Sequence, residues 1–208
     1  MQRYWGSGGT GTATVARESA DRAPPRLSVQ NVVAVARVAD ALPLAELATT
    51  LPGAGHPKKN GPGLFLRLPG SRVSCRVYGS GRVVFTGLGA VDHLDGALAS
   101  VVALLRTAGG EVPGPATEVR VINLVASGNL GRKIALLRLA LALDLERVEY
   151  DPEISAALVY RARGGGTALV FASGAIVVMG ARSVEQARAV AAEVRDVVDA
   201  TGAWHAQA

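Results

Sequence analysis

Apolar and polar positions along this chain follow two periods, and the two succeed each other in a fixed order. Residues 27–36, LSVQNVVAVA, and residues 118–127, EVRVINLVAS, alternate with period two and are rich in β-branched side chains. That pattern predicts a strand in each. A helical pattern follows both: DALPLAELATTL from Asp40 and GRKIALLRLALAL from Gly131. Asp40 is placed to cap the first, with Pro43 early in the helix. In the second, Ile134, Leu137, Leu141 and Leu145 recur at helical spacing and predict one apolar stripe. Four short strands come next, and then a longer helix, AVDHLDGALASVVALLRTA in the first case and SVEQARAVAAEVRDVVDA in the second. Ser183 and Gln186 have the spacing of a capping box. Val184, Ala187, Val190, Ala191, Val194 and Val198 fall on one side of that last helix, while Glu185, Arg188, Glu193 and Arg195 populate its other faces.

The two series match in detail. VQNVVA (29–34) answers VINLVA (121–126), GLFLRL (63–68) answers ALVYRA (157–162), and SGRVVFTG (80–87) answers SGAIVVMG (173–180), at offsets of 92, 94 and 93 residues. Constant order at a nearly constant offset implies a duplication, with one unit over residues 27–110 and another over 117–203. Each unit reads strand, helix, four antiparallel strands, helix. Two long helices are too few to cover both faces of a broad ten-stranded antiparallel sheet. The expected architecture is therefore α+β, with helices on one face and the other face open to a ligand.

Composition narrows this picture. A chain of 208 residues that is 49% hydrophobic supports a real core. Its apolar stretches are broken well before the roughly 18 residues of a membrane span. Residues 1–26 are rich in Gly, Thr, Ser and Ala and have no apolar h-region, so they read as a flexible tail rather than a secretory signal. The single cysteine, Cys75, excludes an internal disulfide and fits a reducing, cytoplasmic setting; it reads as a small core residue. His56, His93 and His205 have no metal-ligand spacing, and no cofactor is implied. The net charge of +5 favours a polyanionic partner.

Four segments carry a resemblance: QNVVAV (30–35), NLVASGNLGRKIAL (123–136), EYDPEISAALVYR (149–161) and TALVFASGAIVVMGARS (167–183). The duplicated pattern resembles the TATA-binding protein core, over about residues 27–203. The resemblance implies a saddle whose concave sheet face meets the minor groove of double-stranded DNA, with the helices on the convex side, in a nucleoid-associated protein. Strand parity then gives the residues of that face, with Gln30 added beside Asn31. Gln30, Asn31, Val33, Asn123 and Val125 stand at the centre. Phe65, Arg67, Tyr78, Arg82, Val84 and Thr86 come from the first repeat, and Val159, Arg161, Leu169, Phe171 and Val177 from the second. An Asn amide donates to A N3 or T O2, acceptors that both A·T orientations offer. An apolar floor suits sugar edges, and Arg67, Arg161 and Arg82 at its margin suit phosphates.

The chain also departs from the family pattern. The resemblance implies two pairs of aromatic wedges that pry open base steps, a device for which this family is a standard example. Here Tyr78 and Phe171 remain, while their partners fall on Gly61 and Ser155. Ala175 stands where the family has Lys, Arg76 replaces an apolar floor residue, and Met179 replaces a Thr. Weaker bending, a relaxed A·T preference, or both, are expected. Asp151 and Glu153 lie on the loop that the resemblance assigns to a TFIIB-like initiation factor, whereas the equivalent first-repeat loop carries Lys58 and Lys59. The competing reading is a saddle-shaped interaction module that binds a protein, or a second copy of itself, through the apolar face. No nucleophile–base pair or paired carboxylates suggest catalysis. SGNLGRK (127–133) lacks the spacing of a phosphate loop.

Overall fold

The computed structural model describes residues 25–51 and 63–205. The first repeat contributes β1 (Leu27–Arg37), α1 (Leu44–Thr50), β2 (Leu64–Arg67), β3 (Ser74–Val77), β4 (Arg82–Leu88) and α2 (His93–Thr107). The second contributes β5 (Thr117–Asn129), α3 (Leu136–Leu141), β6 (Val148–Glu149), β7 (Ala157–Arg161), β8 (Thr167–Phe171), β9 (Ala175–Ala181) and α4 (Val184–Thr201). The strands form a single antiparallel sheet in the order β2-β3-β4-β1-β5-β9-β8-β7-β6. The long first strands, β1 and β5, pair with each other at its centre. The two repeats therefore share one sheet about a local dyad.

Nine strands are found among the described residues, against the ten expected. The first-repeat counterpart of β6 falls near residues 55–56, outside the described residues, as do Gly61, Lys58, Lys59 and His56. The expected tail lies outside them too, up to residue 24.

All the helices pack on one face. On that side Val32, Ala34, Phe85, Leu124, Ala126, Ile176 and Val178 are fully buried. They meet Leu94, Ala97, Val101 and Leu105 of α2, and Ala187, Val190, Ala191, Val194 and Val198 of α4. Cys75 is in this core, and burial pushes its thiol up to about 12. α4 is capped as its sequence predicts. The Ser183 hydroxyl accepts from the Gln186 N–H at 3.0 Å, while the Gln186 side chain accepts from the Arg182 N–H, one residue earlier than in a reciprocal box. Glu193, expected on an outward face of α4, turns to the sheet margin instead. Its carboxylate accepts from the Tyr160 hydroxyl at 2.9 Å, from Arg147 and from the Arg163 N–H.

Both first helices are shorter than their sequence patterns. The backbone ahead of them is already committed. The Val38 and Leu42 N–H groups donate to the Gly81 and Gly79 carbonyls, and Leu130 and Ile134 donate to Gly174 and Ala172 in the matching places. Hence α1 starts only after Pro43, without a side-chain cap, and Asp40 is an exposed loop residue. In the second repeat the Ala135 N–H donates to the Ala203 carbonyl, and Ile134 bridges to Trp204. This extended stretch resets the phase of α3. Ile134, Leu136 and Leu139 point into the core, whereas Leu137, Leu141 and Leu145 are 62%, 80% and 87% exposed. The predicted stripe is thus divided: Ile134 is core, and the three leucines are surface.

Candidate nucleic-acid interface

Opposite the helices, the sheet carries a second face on which no other element packs among the described residues. Cross-strand register assembles it row by row. Phe65, Arg76, Val84 and Val35 stand side by side across β2, β3, β4 and β1. In the second repeat Val159, Leu169, Val177 and Ser127 form the matching row. Arg67, Ser74 and Thr86 make a further row, matched by Arg161, Thr167 and Met179. Each adjoins a residue buried on the helix side, so parity sets the face. Tyr78, just beyond β3, and Phe171, at the end of β8, are half-buried at corresponding corners.

The centre of the face is built by Asn31, Val33, Asn123 and Val125. Asn31 lies opposite Val125, and Val33 opposite Asn123. The asparagines are held in the same way. The Asn31 Oδ1 accepts from the Gly87 N–H at 2.9 Å, and the Asn123 Oδ1 accepts from the Gly180 N–H at 2.9 Å. Because a backbone N–H can only donate, it fixes which way each amide is turned. Both NH2 groups are therefore directed away from the glycine, and no group among the described residues accepts from them. The glycines sit where the pairing of β4 with β1 and of β9 with β5 skips a residue, at φ of 83° and 77°. A side chain at either would be strained, so these positions require glycine.

A bulge also precedes each asparagine. The pairing of β1 with β5 shifts between Val29 and Asn31, and again between Val33 and Ala34 opposite residue 122. Gln30 and Ile122 consequently join Asn31 and Asn123 on the open face. Gln30 donates to the Ser127 hydroxyl at 2.8 Å, while Ile122 is 42% exposed. The second shift reverses parity toward the start of β5, so Arg120, opposite Val35, and Glu118 share the open face as well. Strict alternation conceals both. Arg37, opposite Arg82, is a further basic group absent from the sequence-derived set.

Electrostatics modify the expected phosphate contacts. Glu118 pairs with Arg37 at 3.0 Å and lies 4.0 Å from Arg82. Glu149 pairs with Arg161 at 2.9 Å. Arg82 and Arg161 are thus not bare cations, and each must share or leave a carboxylate to meet a phosphate. Arg67, Arg76 and Arg120 have no acidic partner among the described residues. The loop between β6 and β7 presents Asp151, Glu153 and Ser155 to solvent, and Ile154, next to Glu153, is 84% exposed. Asp151 shapes the loop itself, accepting from the N–H groups of Glu153 and Ser155. The Ser155 hydroxyl is turned back to Ala157.

The chain has known relatives. The family model described as "Transcription factor TFIID (or TATA-binding protein, TBP)" matches residues 26–108 and again 118–200. The chain belongs to the TATA-binding protein family. It is 37% identical to TATA-box-binding protein D of Halobacterium salinarum over 162 residues, covering 77% of this chain and 87% of that protein. With TATA-box-binding protein 2 of Haloferax volcanii it shares 35% identity over 85% of this chain and 95% of the relative. The solved structure of Methanococcus jannaschii TBP superposes with a TM-score of 0.76 at 30% identity, over 85% of this chain and 99% of that one. The family fold of two repeats forming a saddle is therefore the fold of this protein.

Proposed function

We propose that this protein is an archaeal-type, TATA-binding transcription initiation factor that grips duplex DNA in the minor groove through its open sheet face. The observation that carries the reading is the pair of asparagine amides at the local dyad, each locked by a glycine N–H so that its donors face outward. Minor-groove A·T pairs offer acceptors only, and they suit such donors. Val33, Val125, Val84, Val177, Val159 and Leu169 supply an apolar floor for sugar edges. Phe65 and Thr86 extend it, and Gln30 adds a polar contact beside the dyad. Tyr78 and Phe171 are the remaining wedges. Arg67, Arg82 and Arg161 border the face and meet phosphates, the last two by exchanging a carboxylate for one. Asp151 and Glu153, with Ile154 exposed beside Glu153, form a docking loop for a basic surface of a TFIIB-like factor. A nucleoid-associated, cytoplasmic location accompanies this role.

Ser155 cannot unstack bases, so the bend is shallower than one made with a full wedge set. The test is fluorescence anisotropy with end-to-end energy transfer on a duplex bearing a central TATA-like box, against a G·C-rich control. Salt-sensitive binding with a bend on the first duplex alone supports the reading. Equal binding to both without a bend refutes promoter recognition. Absence of binding at low salt refutes the DNA reading, and self-association measured by light scattering then tests pairing of two copies through Phe65 and Ile122, which are 45% and 42% exposed.

A further inference from the structure

The two halves of the open face are alike in backbone and unlike in charge. Where the second repeat has Leu169 in the middle of its floor, the first has Arg76. Arg76 is not a marginal residue. It stands between Phe65 on β2 and Val84 on β4, one strand in from the sheet edge. Its stem is seated. The Cγ and Cδ atoms lie 3.0 and 3.4 Å from where a Cβ on Gly63 would stand, so any side chain at residue 63 would displace it. The acidic groups of the face, Glu118 and Glu149, are engaged with Arg37 and Arg82 and with Arg161. None pairs with Arg76.

An unpaired cation in an apolar floor limits what can cover that floor. A neutral protein surface, or a second copy of the same face, would bury the guanidinium without a counter-charge, which is strongly unfavourable. The DNA minor groove presents the opposite: a negative potential and a row of acceptors, with the G N2 amine as the one competing donor. We propose that Arg76 enters the minor groove beneath the first repeat and reads base edges there, making that half-site stricter for A·T than the half-site beneath Leu169. This rests on the DNA-binding reading. It gives the saddle a built-in polarity: of the face arginines without an acidic partner among the described residues, Arg67 and Arg76 come from the first repeat, and Arg120, from the second, stands in the row of Arg76 across Val84 and Val35.

The experiment compares the wild-type protein with Arg76→Leu, Arg76→Lys and Arg67→Leu. Binding is measured by anisotropy across a salt series on a TATA-like duplex and on duplexes with one G·C pair in either half. Arg76→Leu installs the second-repeat residue at an exposed position, and an unchanged melting temperature verifies its fold. The expected result is a salt slope smaller by about 0.9, together with loss of the extra G·C penalty in one half only. Arg76→Lys should retain the slope, and Arg67→Leu should lower the slope while leaving the penalty in place. If Arg76→Leu matches the wild type in slope and penalty, the proposal is overturned while the DNA reading stands. A lower slope with the penalty intact places Arg76 on phosphate and also overturns it. Failure of the wild type to bind any duplex overturns both readings together.

Discussion

Replacing Asn31 by Asp separates the two jobs of that side chain. In the folded protein the Oδ1 accepts from the partly buried Gly87 N–H at 2.9 Å, and the NH2 faces the open side. An aspartate keeps an acceptor for Gly87, so folding stability should stay within about 1 kcal/mol of the wild type. On the open side, however, two donors become an anionic oxygen aimed at groove acceptors. Losing a well-formed base contact costs about 1–3 kcal/mol, or roughly 5- to 150-fold in affinity. Facing an oxyanion toward acceptors adds to that, so a loss of about 100-fold is expected. Asn31→Ala provides the contrast. It removes the donors and also strands the Gly87 N–H, which costs about 1–3 kcal/mol of stability, or a few degrees in melting temperature. Thermal melting and anisotropy on the TATA-like duplex read the two effects. If Asn31→Asp binds as the wild type does, the amide does not face the ligand. If it melts as low as Asn31→Ala, the Gly87 bond is not what holds it.

Three further outcomes are expected. Ser155→Phe restores an aromatic at a corner where the present hydroxyl only bonds back to Ala157, so energy transfer on a labelled duplex should report a sharper bend; an unchanged angle would refute the wedge argument. Leu139→Ala, in the core, should cost about 2–5 kcal/mol, whereas Leu141→Ala, four-fifths exposed, should stay within about 0.5 kcal/mol; comparable losses in denaturant melts would restore the original stripe. Burial, then the bond to Glu193, pushes the Tyr160 hydroxyl up to about 12 from 10. Stability linked to that raised value is complete below pH 10 and is lost as pH rises through about 12, so the wild type should lose more than Tyr160→Phe between those limits, and parallel curves would refute the coupling. At the acid end, burial alone would raise the Glu193 carboxyl, but the bonds from Tyr160, Arg163 and Arg147 outweigh it and hold it below 4.5. Its contribution is present above that value and lost as pH falls below it.

Much of this molecule is written in local patterns. The repeat, the order of elements and the amphipathic face of α4 follow from period and spacing alone, because each depends on side chains a few residues apart. Strand parity likewise places Val33, Val84, Val177, Phe65 and the other floor residues on one face, since alternation is a property of the strand itself. Parity fails where β1 and β5 bulge. Residues 30 and 122 are extra members of a pairing between distant strands, so only the assembled sheet reveals that Ile122 and Arg120 belong to the open face. Phase fails in α3 for a similar reason: the backbone of Ile134 and Ala135 is claimed by Ala172 and Ala203, and the helix begins later and rotated. The ion pairs of Arg82 and Arg161, and the glycine N–H groups that turn both asparagine amides outward, join residues from 12 to 57 positions apart. Sequence determines which side chains each strand and helix can offer. Long-range pairing decides which of them are already satisfied, and so which remain for a ligand.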